Sequence, residues 1–260
     1  MALTAICAKI NAPIFSIKHP ETFQIAASLP IPQPSSLVGA LAYCFGVQQG
    51  IGLRAQEVIK ETIVAARAKL IGETTTISPI ILRRFRVLDK GVEEKDFEKA
   101  CSALRVGDFD TFRKILEKDL IDALYREYLS PATLKCIWIL KNPIESKILY
   151  LLQRLGDTES LVNVAEAWSA NCKTLDMDEI STDYPFTLQH PNIIDIIQGA
   201  YTTLKMCDEK RELKLFYIPC KREIRSTTDG IKYFAYISTK VNVKLKKSQK
   251  AFSVEEDYIL

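Results

Sequence analysis

The chain has no run of about 18 apolar residues, and without one no helix can cross a membrane. Nor does a charged segment precede its first apolar residues: Met1-Ala2-Leu3-Thr4-Ala5-Ile6-Cys7 reaches Lys9 and Asn11 too soon for a secretion signal. The expectation is a cytoplasmic protein. Its seven cysteines (Cys7, Cys44, Cys101, Cys136, Cys172, Cys207 and Cys220) include no Cys-x-x-Cys pair. An odd number of scattered cysteines argues against a disulfide framework and a zinc site, and favours small hydrophobes in a reducing compartment. Histidine is scarcer still: His19 and His190 each precede a proline and stand 171 residues apart. There is no Walker A loop, no His-Glu-x-x-His, no Gly-x-Ser-x-Gly and no paired-carboxylate metal motif. Neither a cofactor nor a metal is expected.

What is present is apolar mass and unevenly placed charge. Of 260 residues, 47% are hydrophobic, enough to bury one large core or two modest ones. The net charge of +3 is too small to announce a nucleic-acid binder. Its distribution says more. Lys210 to Lys250 holds 12 Lys or Arg against Glu212, Glu223 and Asp229, a local charge of +9, so the rest sums to −6. Such a split predicts one basic face on an acidic body, and an anionic partner for that face.

Leu3 to Ile17, rich in β-branched and small apolar residues, reads as a first strand. Pro30, Pro32 and Pro34 then force a turn, because proline fits neither a paired strand nor a helix interior. Beyond it, Leu37, Ala40, Leu41, Cys44 and Phe45 make one helical stripe, with Ser35 or Ser36 as N-cap and Gly46 as the stop. Arg54 to Lys60 reads as a short second helix, Ile63 to Ile71 as a strand, and Ile77 to Leu88 as extended. From Asp89 to Leu129 two apolar stripes predict a helical hairpin. Phe97, Cys101 and Leu104 precede Gly107-Asp108; Phe112, Ile115, Leu116, Leu120, Ala123 and Leu124 follow it.

Leu134 to Leu140 is a buried strand, Asn142-Pro143 opens a helix closed by Gly156, and Leu161 to Trp168 is extended. After about residue 173 strands dominate. Leu213 to Ile218 comes first, then a hairpin around Asp229-Gly230, where both turn positions need φ > 0. In the last, Val241, Val243 and Leu245 alternate with Asn242, Lys244 and Lys246. With the helical hairpin set aside, the early order is strand, helix, strand, strand, helix, strand. That order belongs to a ferredoxin-like fold, whose sheet serves RNA recognition in RRM domains. The predicted class is α+β. Residues 1–172 form a ferredoxin-like (RRM-like) domain with a helical insertion at about 89–130, and residues 173–260 a β-rich unit.

The stretch Leu29-Pro30-Ile31-Pro32-Gln33-Pro34-Ser35-Ser36-Leu37-Val38-Gly39-Ala40-Leu41 resembles the strand-to-helix junction of RAMP-superfamily CRISPR proteins, above all the fifth Cas family. Arg126-Glu127-Tyr128-Leu129-Ser130-Pro131 and Arg154-Leu155-Gly156-Asp157-Thr158-Glu159-Ser160-Leu161 are similar to segments of archaeal type I-A members, in matching order and spacing. The resemblance spans roughly the first two-thirds of the chain. It implies an RNA-binding subunit of a Cascade-type surveillance complex that holds the 5′ handle of the CRISPR RNA. Such a subunit contacts the backbone-filament subunit beside it and helps seat the large subunit.

Each candidate RNA contact has an ordinary reading beside it. Ser35 and Ser36 are N-caps, or place free helix N–H groups at a phosphate. Gly39 is a packing residue, the favoured reading, or a gap that lets RNA approach. Arg83, Arg84 and Arg86, beside Phe85, are a solvated edge or a phosphate clamp with a stacking ring. Arg126 and Arg154 are structural ion pairs with Glu127 and Asp157, or RNA contacts. Lys244, Lys246, Lys247 and Lys250 blunt an edge strand or face phosphates. Lys18 and His19 complete the set; with Tyr43 they are also the one arrangement that a metal-independent ribonuclease would use. Most members of the family do not cleave RNA, and a non-catalytic subunit is expected. An endoribonuclease maturing precursor CRISPR RNA and a scaffold without RNA contact are the alternatives.

Overall fold

The computed structural model describes residues 3–21, 25–85, 94–156, 160–187, 194–245 and 251–260, with the backbone course alone at 25–26, 78–85, 94, 119–125 and 194. Strand β1 (Leu3–Ala12) and the two-residue β2 (Ile25–Ala26) precede helices α1 (Pro34–Gln49) and α2 (Ala55–Thr62). Strands β3 (Ile63–Ile71) and β4 (Glu73–Phe85) lead to α3 (Glu94–Arg105) and α4 (Phe109–Ile115). Then come β5 (Ile121–Ser130), β6 (Ala132–Leu140), β7 (Asn163–Leu175), β8 (Glu179–Thr182), β9 (Phe186–Thr187) and β10 (Ile194–Gln198). The chain continues through β11 (Thr202–Cys207), β12 (Leu213–Ile218), β13 (Cys220–Ser226), β14 (Lys232–Ser238), β15 (Val241–Leu245), β16 (Ala251–Val254) and β17 (Asp257–Ile259). Helix and strand are mixed, and strands dominate. No helix among the described residues is long and apolar enough to cross a membrane.

The central sheet has the order β17-β16-β7-β1-β6-β3, with every neighbouring pair antiparallel. Period-two alternation divides its residues between two faces. Ile6, Ala8 and Ile10 of β1, with Leu134, Cys136 and Trp138 of β6, build the main core on one side. Helix α1 lies there, and the Trp138 indole N–H donates to the Leu37 carbonyl at 2.9 Å. Ala5, Cys7, Ala65, Ile137 and Ile139 face the other way, against Tyr184, Val254 and Ile259. The predicted boundary at 172–173 lies within β7, and β16 and β17 add to the sheet that β1 begins.

Several local expectations are corrected. Helix α1 starts at Pro34, whose fixed φ suits the first helical position; Gln33 is the cap residue and makes no side-chain cap bond. Ser35 and Ser36 therefore sit inside the first turn rather than capping it. The helix also runs past Gly46 to Gly50, which takes the left-handed conformation at φ 67°. Gly46 has a packing role instead: a Cβ there would meet the Gly52 carbonyl oxygen at 3.0 Å and Ala55 Cβ at 3.1 Å.

Residues 121–130 are strand, although Leu120, Ala123 and Leu124 have helical spacing. Pairing of β5 with β4, from Phe85↔Ile121 to Thr75↔Ser130, overrides that periodicity. The helix expected from Asn142-Pro143 to Leu155 is only a 3-10 turn at Ser146–Leu151. Beyond it the Val162 N–H bonds the Gln153 carbonyl and the Leu155 N–H bonds that of Ser160, so the backbone is held extended. In the Asp229-Gly230 turn only Gly230 has positive φ. Its N–H donates to the Thr227 carbonyl, giving a three-residue loop in place of a two-residue one.

Candidate nucleic-acid interface

An RRM-type reader needs the open face of its sheet. Here that face is covered. Arg67, Lys69 and Lys135 project from it between apolar neighbours, and carboxylates from later in the chain meet them. Lys69 Nζ lies 2.9 Å from Asp183 and 2.5 Å from Asp257; Lys135 Nζ lies 2.8 Å from Asp257 and 3.3 Å from Glu255. The Tyr184 hydroxyl donates to Asp257 at 3.2 Å, the Trp168 indole N–H donates to Glu255 at 2.8 Å, and Arg67 pairs with Glu209. Burial works to raise the Asp257 pKa, but the hydrogen bonds from Lys135 and Lys69 outweigh it and hold the carboxyl below the usual range. Burial, with Asp257 and Asp183 nearby, keeps the Tyr184 hydroxyl protonated far above its ordinary value. A polar cleft of about 530 Å³ remains beside Lys69, Lys135, Lys240 and these acids. Its carboxylates repel phosphate.

A second cleft, about 490 Å³, lies between α1 and the segment 152–156. Ser36, Gly39 and Tyr43 line one wall, and Gln153, Arg154 and Gly156 the other. A Cβ on Gly39 would meet nothing within 4 Å, so the packing reading of this glycine is corrected: it leaves open space above the helix. Gly156 is constrained instead. Its φ is 104°, and a Cβ would stand 2.5 Å from Ile17 Cγ1 and 2.9 Å from the Ser16 carbonyl oxygen. Ser160 fastens the same loop: its Oγ accepts from the Ser16 N–H at 2.9 Å and donates to the Ser16 carbonyl at 3.1 Å. Tyr43 is 52% exposed, and Arg154 is exposed with no carboxylate partner among the described residues. Helix α1 has no acid in its own first turn and no side-chain cap; its Ser36 and Leu37 N–H groups donate to the Gln33 carbonyl, and Glu209 lines a separate cleft with Ser35. A cation, a helix N-terminus and an exposed ring around one cleft can hold a phosphate and a base.

Lys18 and His19 follow Ile17, the residue packed on Gly156. Lys18 is exposed and bridges Ser28, while His19 Nδ1 accepts from the Glu21 N–H at 3.2 Å. Arg126 lies half-buried in β5 opposite Ile80 and Ala26; the neighbouring Glu127 accepts from the Ser28 N–H at 2.9 Å. Arg83 and Arg84 pair through the backbone with Ala123 and Asp122, far along β4, and Arg86 lies outside the described residues. So do Asp157, Lys246, Lys247 and Lys250. Lys244 is not on an edge: β15 is the middle strand of the sheet β10-β15-β8, and Lys244 stands opposite Asp195 and Glu179. The edge-blunting reading is corrected for this residue.

The basic segment is likewise partly neutralised. Lys214 reaches Asp208 at 2.5 Å, Lys221 reaches Glu223 at 2.7 Å, and Arg225 reaches Glu73 at 3.0 Å. The fold thus joins Ser36 and Arg154 in one cleft, with Lys18 and His19 next to its floor, and leaves the Arg83 and Lys244 groups elsewhere. Gln153 was missed, because nothing in its sequence context sets it apart. Among the described residues no three His, Cys, Asp or Glu side chains gather as metal ligands would.

No protein-family model matches the chain. The CRISPR-associated protein Cas5 of Thermoproteus tenax is 26% identical over 222 residues, covering 82% of this chain and 84% of that protein. The protein of the same name from Methanocaldococcus jannaschii is 28% identical over 181 residues, 63% of each. Among solved structures, a CRISPR protein from Archaeoglobus fulgidus superposes with a TM-score of 0.61 at 17% identity, over 98% of this chain and 97% of that one. That last likeness is one of fold.

Proposed function

Starting from a chain of the Cas5 RAMP type, we propose that it is a non-catalytic, RNA-binding subunit of a type I-A CRISPR surveillance complex. In this reading it holds the 5′ handle of the CRISPR RNA in the cytoplasm and contacts the backbone-filament subunits and the large subunit. The observation that carries the reading is the α1 cleft, where Arg154 has no carboxylate partner among the described residues and Ser36 belongs to an uncapped helix start. A phosphate supplies the charge that cleft lacks. The ferredoxin-like assignment is part of the proposal and is supported by strand order: β7-β1-β6-β3 is the fourth, first, third and second strand of a βαββαβ unit. RNA then runs along the α1 side and edge, because the opposite face is closed by its own acids.

The helical hairpin supports the contact with neighbouring subunits. Phe97, Leu104, Val106 and Phe109 are exposed on α3 and α4 and the turn between them, and α4 is capped by Asp108, which accepts from the Thr111 N–H at 3.0 Å. Incubating the purified chain with repeat RNA, with and without EDTA, tests the proposal. Binding without cleavage is expected. Specific cleavage lost in His19→Ala would assign an endoribonuclease, and absence of binding a scaffold. Replacing Arg83, Arg84 and Arg86 by Ala, against Lys244, Lys246 and Lys247 by Ala, then shows whether either group adds to the cleft.

A further inference from the structure

The hairpin of β13 and β14 has two faces of unlike chemistry. Lys221, Glu223 and Arg225 point to one, where Lys221 and Arg225 are each paired with a carboxylate. Arg222, Ile224 and Ser226 point to the other, opposite Tyr236, Phe234 and Lys232, and these two strands place no acid there. The Arg222 guanidinium carbon lies 3.6 Å from the centroid of the Phe234 ring and 5.9 Å from that of Tyr236, and among the described residues no carboxylate pairs with it. Phe234 is held in place by its backbone: its N–H donates to Thr76 Oγ1 at 2.9 Å, and that hydroxyl donates to its carbonyl at 3.2 Å. Ile224 beside it is 67% exposed.

We infer that Arg222 and Phe234 form a stacking platform for an unpaired base of single-stranded RNA, with the guanidinium N–H groups turned to a phosphate. This rests on the RNA-subunit reading above and extends it to a second contact. A guanidinium centred over one face of a ring leaves its far side open to a base and its outward N–H donors open to an anion. On these two strands the face carries Arg222 and Lys232 and no acid, a local charge that favours a polyanion. The hairpin is tied to the cleft through the fold: Tyr236 pairs with Thr74 and Thr76 pairs with Leu129, buried residues beyond which Glu127 lies on β5. Glu127 holds Ser28, and Ser28 bridges Lys18, next to the residue packed on Gly156 at the α1 cleft.

The test is fluorescence anisotropy of the whole chain with labelled single-stranded repeat RNA over a series of salt concentrations. Arg222→Ala is expected to weaken binding roughly tenfold and to lower the salt slope by roughly 0.7. Arg222→Lys should keep the slope and still lose affinity, because it keeps the charge and loses the plane. Lys221→Ala, on the paired face, should match wild type, and thermal melts should be unchanged in all three. If Arg222→Ala binds as wild type while Arg154→Ala is weakened, this inference falls and the RNA-subunit reading stands. If wild type binds no RNA, both fall. If Arg222→Ala loses binding to polyglutamate and keeps binding to RNA, the face serves a protein, and the inference is overturned.

Discussion

Two clefts of similar size, about 490 Å³ at α1 and about 530 Å³ on the outer face of the central sheet, have opposite electrostatics. The second is richer in lysine, yet Lys69 and Lys135 are each bonded to two carboxylates. The first has one arginine with no carboxylate partner among the described residues, beside a helix whose own first turn holds no acid. Counting cations points to the second cleft, whereas the proposed RNA path takes the first. The difference teaches that compensated charge inside a sheet face is structural, and that uncompensated charge is the better guide to where an anion is to be sought.

The largest way to break the comparison is Asp257→Ala. It strips Lys69, Lys135 and the Tyr184 hydroxyl of a shared, buried partner and should cost about 3–5 kcal/mol in denaturant unfolding. RNA affinity, measured well below the melting temperature, should be unchanged; a large loss would return RNA to the outer face. Acid tests the same group. Its folded pKa lies below the unfolded value of about 3.9, so its stabilisation is present above that value and lost as pH falls through the folded pKa. Unfolding free energy should therefore fall below about pH 4, and less steeply in Asp257→Asn.

Gly156→Ala comes next, at about 2–3 kcal/mol, because φ 104° and the Ile17 contact both oppose a Cβ. On the facing wall the sign reverses: Gly39→Ala should stabilise by about 0.5–1 kcal/mol, since a helix prefers alanine and the space is open. Gly39→Leu fills that space and should reduce RNA affinity about tenfold without lowering the melting temperature. The smallest effect is that of Arg154→Ala, a salt slope lowered by roughly 0.7 with stability unchanged. An unaltered slope would remove Arg154 from the RNA path.

Elements with one dominant local signal were legible. Ile63–Ile71 and Leu213–Ile218 are strands at the predicted residues, and Gly107-Asp108 separates two helices as expected. The misreadings lie where partners distant in sequence decide the backbone. Ala123 and Leu124 fit a helix until β4 is placed beside them, and Gln153 to Leu155 until 160–162 are. Ser36, Gly39, Tyr43 and Arg154 were each singled out, but their shared cleft depends on α1 meeting a loop more than 100 residues later. The covered outer face left one sign in the sequence: Arg67, Lys69 and Lys135 interrupt apolar strands. Their partners, Glu209, Asp183, Glu255 and Asp257, follow no periodicity that would have announced them.

The two strand pairs β3/β6 and β4/β5 belong to different sheets but follow one another along the same two chain segments, joined through Gly72 on one side and Pro131 on the other, as one long antiparallel arm broken between Ile71↔Thr133 and Thr75↔Ser130. At its outer end Phe85 pairs with Ile121; at its inner end Ile63 pairs with Leu140, at roughly twice the separation along the chain. Loop-closure entropy favours joining the outer end first, with α3 and α4 shortening the loop as they form, and then zipping inward. The appended helices thus have a kinetic consequence beyond any surface they present. Replacing α3 and α4 by a flexible linker of equal length should slow refolding more than it speeds unfolding, and stopped-flow measurements of both rates would show the opposite partition if the inner end nucleates.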